Sequence, residues 1–216
     1  AEEYDRVLDE TVVLHAENEI IVDNEDPGFS YVSVSKESKL KQYIDSRKEK
    51  TNPLGYRSVN PRWAPPVWTP VAHSAFYGHS IRSAMISGNG DGHNVARWSA
   101  AMPEAGFYDV YTYVPVSAMY KRPDNRQRGS RDQGRRQRSR RGMGPQFADE
   151  GTEYLYTISS NEGSEEVFFS LDFVEEGWNH IGMFHFPADT ARIELSNDCE
   201  HGFRVIADAI KWIRKD

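Results

Sequence analysis

Four residues with flat rings or a planar cation, Tyr56, Arg62, Trp63 and Trp68, fall within "TNPLGYRSVNPRWAPPVWTP", a stretch of 20 residues with five prolines. Sugars present apolar C–H faces ringed by hydroxyls, so a glycan site needs open Trp or Tyr rings with polar side chains beside them. Proline limits the entropy that a loop loses when it orders around a ligand. Tyr56, Trp63, Trp68 and Arg62 are therefore the expected ligand-binding residues, on a surface loop that is neither helix nor central strand. The competing expectation is that the same rings fold back as a lid on the core.

Other chemistry is sparser. "SGNGDGH" sets Asn89, Asp91 and His93 at alternate positions, as a calcium loop does, but Ala100 stands where such a loop needs a bidentate Glu. "DNED", Asp23 to Asp26, could bind calcium, and is equally an ordinary turn ahead of Pro27 and Gly28. His180 and His185 lie on opposite faces if "WNHIGMFHF" is a regular strand, so they cannot share an ion. Cys199 is the sole cysteine, expected in an exposed turn and without a nucleophile's setting. The 33 carboxylates show no acid/base pair by spacing, and Asp208, among apolar residues, reads as a hydrogen-bonded structural carboxyl. Neither a catalytic residue, a metal nor a cofactor is expected.

Charge is divided unevenly. Lys121 to Arg141 hold ten Lys/Arg against two Asp, a surplus of +8 in a chain of net −7, which leaves −15 on the remainder. An acidic body argues against general nucleic-acid binding. The basic stretch lacks aromatic residues and apolar periodicity, and is read as a tolerated insertion with at most an accessory hold on polyanions. No apolar run approaches the roughly 18 to 20 residues of a membrane span, and "AEEYDRVLDE" has neither a basic n-region nor an apolar h-region. A soluble piece of a longer protein is expected.

The elements that must position these residues are strands. "TVVLH" and "IIVD" are β-branched runs, the second closed by "EDPG". "SKESKLKQYIDSRKEK" places Leu40, Tyr43, Ile44 and Arg47 on one face of a short helix. "IRSAMI" and "HNVARWSA" flank a Gly-rich turn and predict a hairpin. In "AGFYDVYTYVP", Tyr108, Val110, Thr112 and Val114 take one face and Phe107, Asp109, Tyr111 and Tyr113 the other. "TEYLYTISS", "EEVFFSLDF", "WNHIGMFHFP", "ARIELSND" and "RVIADAIKWI" follow at sandwich spacing. Trp98, Trp178 and Trp212, within strand patterns, are expected in the core. The pattern predicts an all-β protein: an antiparallel β-sandwich spanning residues 20–216, behind a lead-in strand or linker at 1–19.

The blocks "IIVDNEDPGFS", "AFYGHSIRSAMISGNGDGHNVARWSAAMPEAGFYDVYTYVP", "TEYLYTISSNEGSEE", "GWNHIGMFHFPADTARIELSND" and "RVIADAIKW", in this order, resemble the golvesin C-terminal-like domain, which also ends bacterial proteins labelled xanthan lyase. The resemblance covers residues 20–216 except two longer stretches, about 36–66 and 118–147. It implies a jelly-roll or galactose-binding-like sandwich, carbohydrate-binding-like and non-catalytic. It further implies a secreted, periplasmic or surface bacterial protein in which the module is appended to an enzyme. The implied partners are a polysaccharide and a neighbouring domain of the parent. The alternative function is a docking domain that binds no glycan.

Overall fold

The computed structural model describes residues 18–34, 55–59, 64–119, 148–161 and 163–215. Arg62, Trp63, the "TVVLH" strand, the helix over 35–50 and the basic stretch 121–141 all lie outside the described residues.

The described residues are mainly strands, in three sheets. The first comprises β1 (Glu19–Val22), β13 (Ile210–Arg214), β7 (Gly106–Val114) and β10 (Gly177–Phe186), hydrogen-bonded in that order. The second runs β2 (Phe29–Val32), β6 (Val95–Ala101), β11 (Thr190–Gly202), β8 (Ala148–Ser160) and β9 (Gly163–Ser170). The third runs β12 (Arg204–Ala207), β5 (Ser83–Gly88), β4 (Thr69–Ala72) and β3 (Arg57–Ser58). All pairs are antiparallel except β3 with β4, a two-residue parallel contact outside the all-antiparallel expectation. A single turn of helix, α1 (Val116–Met119), follows β7. Among the described residues no helix is long and apolar enough to cross a membrane.

The sheets meet as a sandwich because period-two patterning gives each an apolar face. On β7, Tyr108, Val110, Thr112 and Val114 point inward as their alternation predicts. Opposing layers are tied by hydrogen bonds that satisfy polar tips within the core. Thr112 Oγ1 of the first sheet lies 2.9 Å from Tyr156 Oη of the second. Ile206 N–H of the third donates to Tyr154 Oη of the second at 3.2 Å. Trp98 Nε1–H donates to the Asp208 carbonyl at 3.1 Å, and Trp98 and Trp212 are both buried, as expected.

Two elements depart from their expected form. The Gly-rich turn closes no hairpin: β5 pairs with β4 and β12, whereas β6 pairs with β2 and β11, so the chain crosses between layers there. The crossing is pinned from across the fold. Asn89 Nδ2 donates to the carbonyls of Cys199 and Gly202, and Cys199 N–H donates back to Asn89 Oδ1. β11 also continues past "ARIELSND" to Gly202, which buries Cys199 inside a strand instead of leaving it in an exposed turn. Burial pushes its thiol up to about 12, so it is no nucleophile at neutral pH.

Candidate functional site

The outward face of the first sheet concentrates aromatic side chains. β7 contributes Phe107, Asp109, Tyr111 and Tyr113, since their inward-facing neighbours are committed to the core. On β10, Trp178 stands opposite Tyr113 and His180 opposite Tyr111. A bulge between His180 and Gly182 then inserts one residue, so Met183 faces Asp109 and His185 faces Phe107 on this same side. The bulge corrects the expectation that the two histidines oppose each other. His180 packs 5.1 Å from Tyr111 and His185 5.3 Å from Phe107, centroid to centroid.

Tyr77, from the loop between β4 and β5, completes a three-ring cluster. Its centroid lies 5.5 Å from that of Tyr113 and 5.2 Å from that of Trp178, and Tyr113 meets Trp178 edge to face at 5.2 Å and 88°. All three rings are half-buried, so Trp178 is an outer-face residue and not the core residue expected of it. Lys211 Nζ sits 4.6 Å from the Trp178 ring and 5.3 Å from the Tyr111 ring, with Glu19 Oε1 at 2.9 Å. Farther along the face, Asp109 is held below the usual carboxylate range, first by Lys215 Nζ at 2.7 Å and also by His180 Nε2 at 3.2 Å.

Beside these rings opens a cleft of about 300 Å³, lined by residues that include Ile21, Asp23, Glu25, Asp26, Tyr77 and His79. The turn after β1 supplies the carboxyls. Asp23 N–H donates to Asp26 Oδ2 at 2.7 Å, and Asn24 N–H donates to Asp23 Oδ1 at 2.7 Å. Glu25 accepts from Asn24 Nδ2 at 3.0 Å, from the Ser83 hydroxyl and from Tyr56 Oη at 2.8 Å. Desolvation dominates the titration here: burial pushes Asp23 up to about 7, opposed by the Asn24 N–H and reinforced by Asp26 and Glu25. Asp208, beneath Tyr77, is pushed well above its ordinary range by burial and then by Asp23. Both its oxygens accept the Tyr77 N–H, at 3.2 and 3.3 Å, in keeping with the structural role expected of it. Among the described residues, no three His, Cys, Asp or Glu side chains converge as metal ligands would.

The expected proline-loop site divides. Trp68 is 3% exposed and belongs to the core; its backbone N–H donates to Ser33 Oγ at 3.1 Å just ahead of inward-facing Val71. It cannot serve as an open ring. Tyr56 is half-buried and reaches the cleft through Glu25, while Arg62 and Trp63 lie outside the described residues. Tyr113, Trp178, Tyr77 and Lys211 were not singled out by sequence as ligand residues. The legible signal was the outward register of "FYDVYTY"; what was missing was the partner strand that sets Trp178 beside it.

No protein-family model matches the chain, that of the golvesin C-terminal-like domain included, and no curated protein matches it. Solved structures do. A Paenibacillus xanthan lyase is similar over 92% of this chain and 13% of its own, with a TM-score of 0.54 and 16% identity. A Podospora anserina GH26-CBM35 β-(1,4)-mannanase aligns with 70% of this chain and 26% of its own, at a TM-score of 0.35 and 13% identity. An exo-β-1,3-galactanase from Phanerochaete chrysosporium aligns with 68% of this chain and 26% of its own, at 0.37 and 12%. The likeness to the lyase is one of fold, and the chain spans 13% of that lyase's length.

Proposed function

We propose that this chain is a non-catalytic carbohydrate-binding β-sandwich module akin to the golvesin C-terminal-like domain, carried as an accessory unit by a longer, exported bacterial protein. The observation that carries this reading is the outward cluster of Tyr77, Tyr113 and Trp178 continuous with a cleft that carries carboxyls. Half-open rings offer faces and edges to sugar C–H groups, and the adjoining carboxyls and His79 offer partners to hydroxyls. The reading of the module as non-catalytic draws support from two of its groups: the Cys199 thiol is buried and its pKa raised, and Asp208 is enclosed and hydrogen-bonded.

The test is a glycan array followed by calorimetry. Trp178→Ala and Tyr113→Ala should each weaken the best ligand about tenfold or more while preserving the fold, since outer-face rings bear on recognition more than on the core. Unchanged affinity in both would remove the site from this face.

A second reading, a docking domain without glycan binding, is favoured by one observation: Phe107 and Met183 continue the same face at 51% and 54% exposure. Failure of every glycan to bind, with burial of this face in the full-length parent, would establish it.

A further inference from the structure

Resting on the carbohydrate reading, we propose that the cleft between Asp23 and Tyr77 takes a protonated amino group, so that the preferred ligand is a glycan containing hexosamine with a free amine. Three observations point to a cation. First, the lining carries three carboxyls, Asp23, Glu25 and Asp26, against His79, and neither Lys nor Arg. Lys211, on the adjoining face, is already paired with Glu19.

Second, Asp23 is 7% exposed, yet no hydrogen bond from any described residue reaches its Oδ2. That oxygen lies beside Gly78, 3.3 Å from where a Cβ would stand, at the edge of the segment that carries Tyr77. A carboxyl so enclosed, whose Oδ2 accepts nothing from the described residues, is costly to ionise alone and favourable to ionise against an ammonium.

Third, the Tyr77 ring forms a wall of the same cleft, and aromatic faces attract ammonium groups within about 6 Å. The Tyr77 hydroxyl is itself pushed upward by burial and then by Asp23, Glu19 and Asp26, so the local field disfavours an added anion. Among the described residues no three His, Cys, Asp or Glu side chains are placed as a metal site would need, whereas an ammonium needs one carboxylate and a ring. The volume, about 300 Å³, is at the small end of ligand pockets and suits one sugar residue of a longer chain.

The groups facing Asp23 are Asp26 and Glu25 from its own turn, Tyr56 from the segment ahead of β3, Tyr77 and His79 from the loop between β4 and β5, and Asp208 from the link between β12 and β13. None but His79 could donate a positive charge. An incoming ammonium would therefore draw the proton off Asp23, and binding should release protons.

The experiment is calorimetry at about pH 6, where the amine is protonated, with a glucosamine tetramer, its fully N-acetylated counterpart and a neutral glucan tetramer. The expected result is at least about tenfold tighter binding of the free-amine tetramer, with heats that vary with buffer ionisation enthalpy as proton release requires. Asp23→Asn, which retains the Oδ1 acceptor, should abolish that preference, and Tyr77→Leu, which keeps the N–H bonded to Asp208, should weaken it. Equal binding of the acetylated or neutral tetramers would overturn the amine assignment while leaving the carbohydrate reading in place. So would binding of other glycans on the array with none of the free-amine tetramer. Binding of no glycan at all would overturn both.

Discussion

Trp68 separates packing from recognition at the residue scale. Because its ring is enclosed with Val71 and Phe76, Trp68→Ala should open a cavity and cost about 3–5 kcal/mol in denaturant unfolding, in contrast to Trp178→Ala on the outer face. Asp23 makes a different prediction. Its folded value of about 7 exceeds its ordinary 3.8, so the folded state holds the proton more tightly between those limits. The stability this contributes is complete below pH 3.8 and lost as pH rises through 7. Asp208 shifts in the same direction. Asp23→Asn should accordingly flatten the fall in stability between about pH 4 and 7 and leave the protein more stable than the parent at about pH 8, by roughly 2–4 kcal/mol, as thermal melts across pH would show. A carboxyl that costs the fold stability when ionised is consistent with a role at a ligand. Cys199, buried in β11 with its thiol near 12, should resist alkylation in the native protein and react fully once unfolded.

At the scale of elements, the crossing between β5 and β6 depends on side chains that replace a hairpin ladder. Asn197 Nδ2 donates to the Gly88 carbonyl at 3.1 Å, and its Oδ1 accepts from Asn94 N–H at 3.2 Å. Asn94 in turn donates from Nδ2 to the Pro66 carbonyl at 2.9 Å and accepts from Val34 N–H at 2.7 Å. Both asparagines are buried, so truncating either leaves backbone groups without partners. Asn197→Ala should therefore lower unfolding free energy by on the order of 2–3 kcal/mol, more than an exposed substitution would. An unchanged midpoint and slope in urea would show that the crossing holds without it.

For the whole molecule, charge distribution makes the prediction. The +8 of residues 121–141 belongs to a chain whose remainder is −15. Replacing that segment by a Gly/Ser link should reduce retention on heparin most at low salt, where screening is weakest, while the melting temperature barely moves. A large fall in melting temperature would assign the segment to the fold, and unchanged retention would show that its charge is not presented to polyanions.

Local pattern sufficed for much of this architecture. The alternation of "AGFYDVYTYVP" determined which residues of β7 face the core and which face outward, and the strands β8 and β9 were legible in their own patterns. These depend on neighbours in sequence, as backbone periodicity does. Other features were decided by residues far apart in the chain. Asn89 meets Cys199 and Gly202 across the fold, which parts β5 from β6; a one-residue bulge turns His180 and His185 to one face; Ser33 Oγ accepts from the Trp68 backbone N–H; and Tyr77 reaches Tyr113 and Trp178. The raised pKa of Asp23 belongs to the same class. Desolvation and proximity are properties of the packed interior, and no spacing of residues along a chain specifies them before the layers have closed.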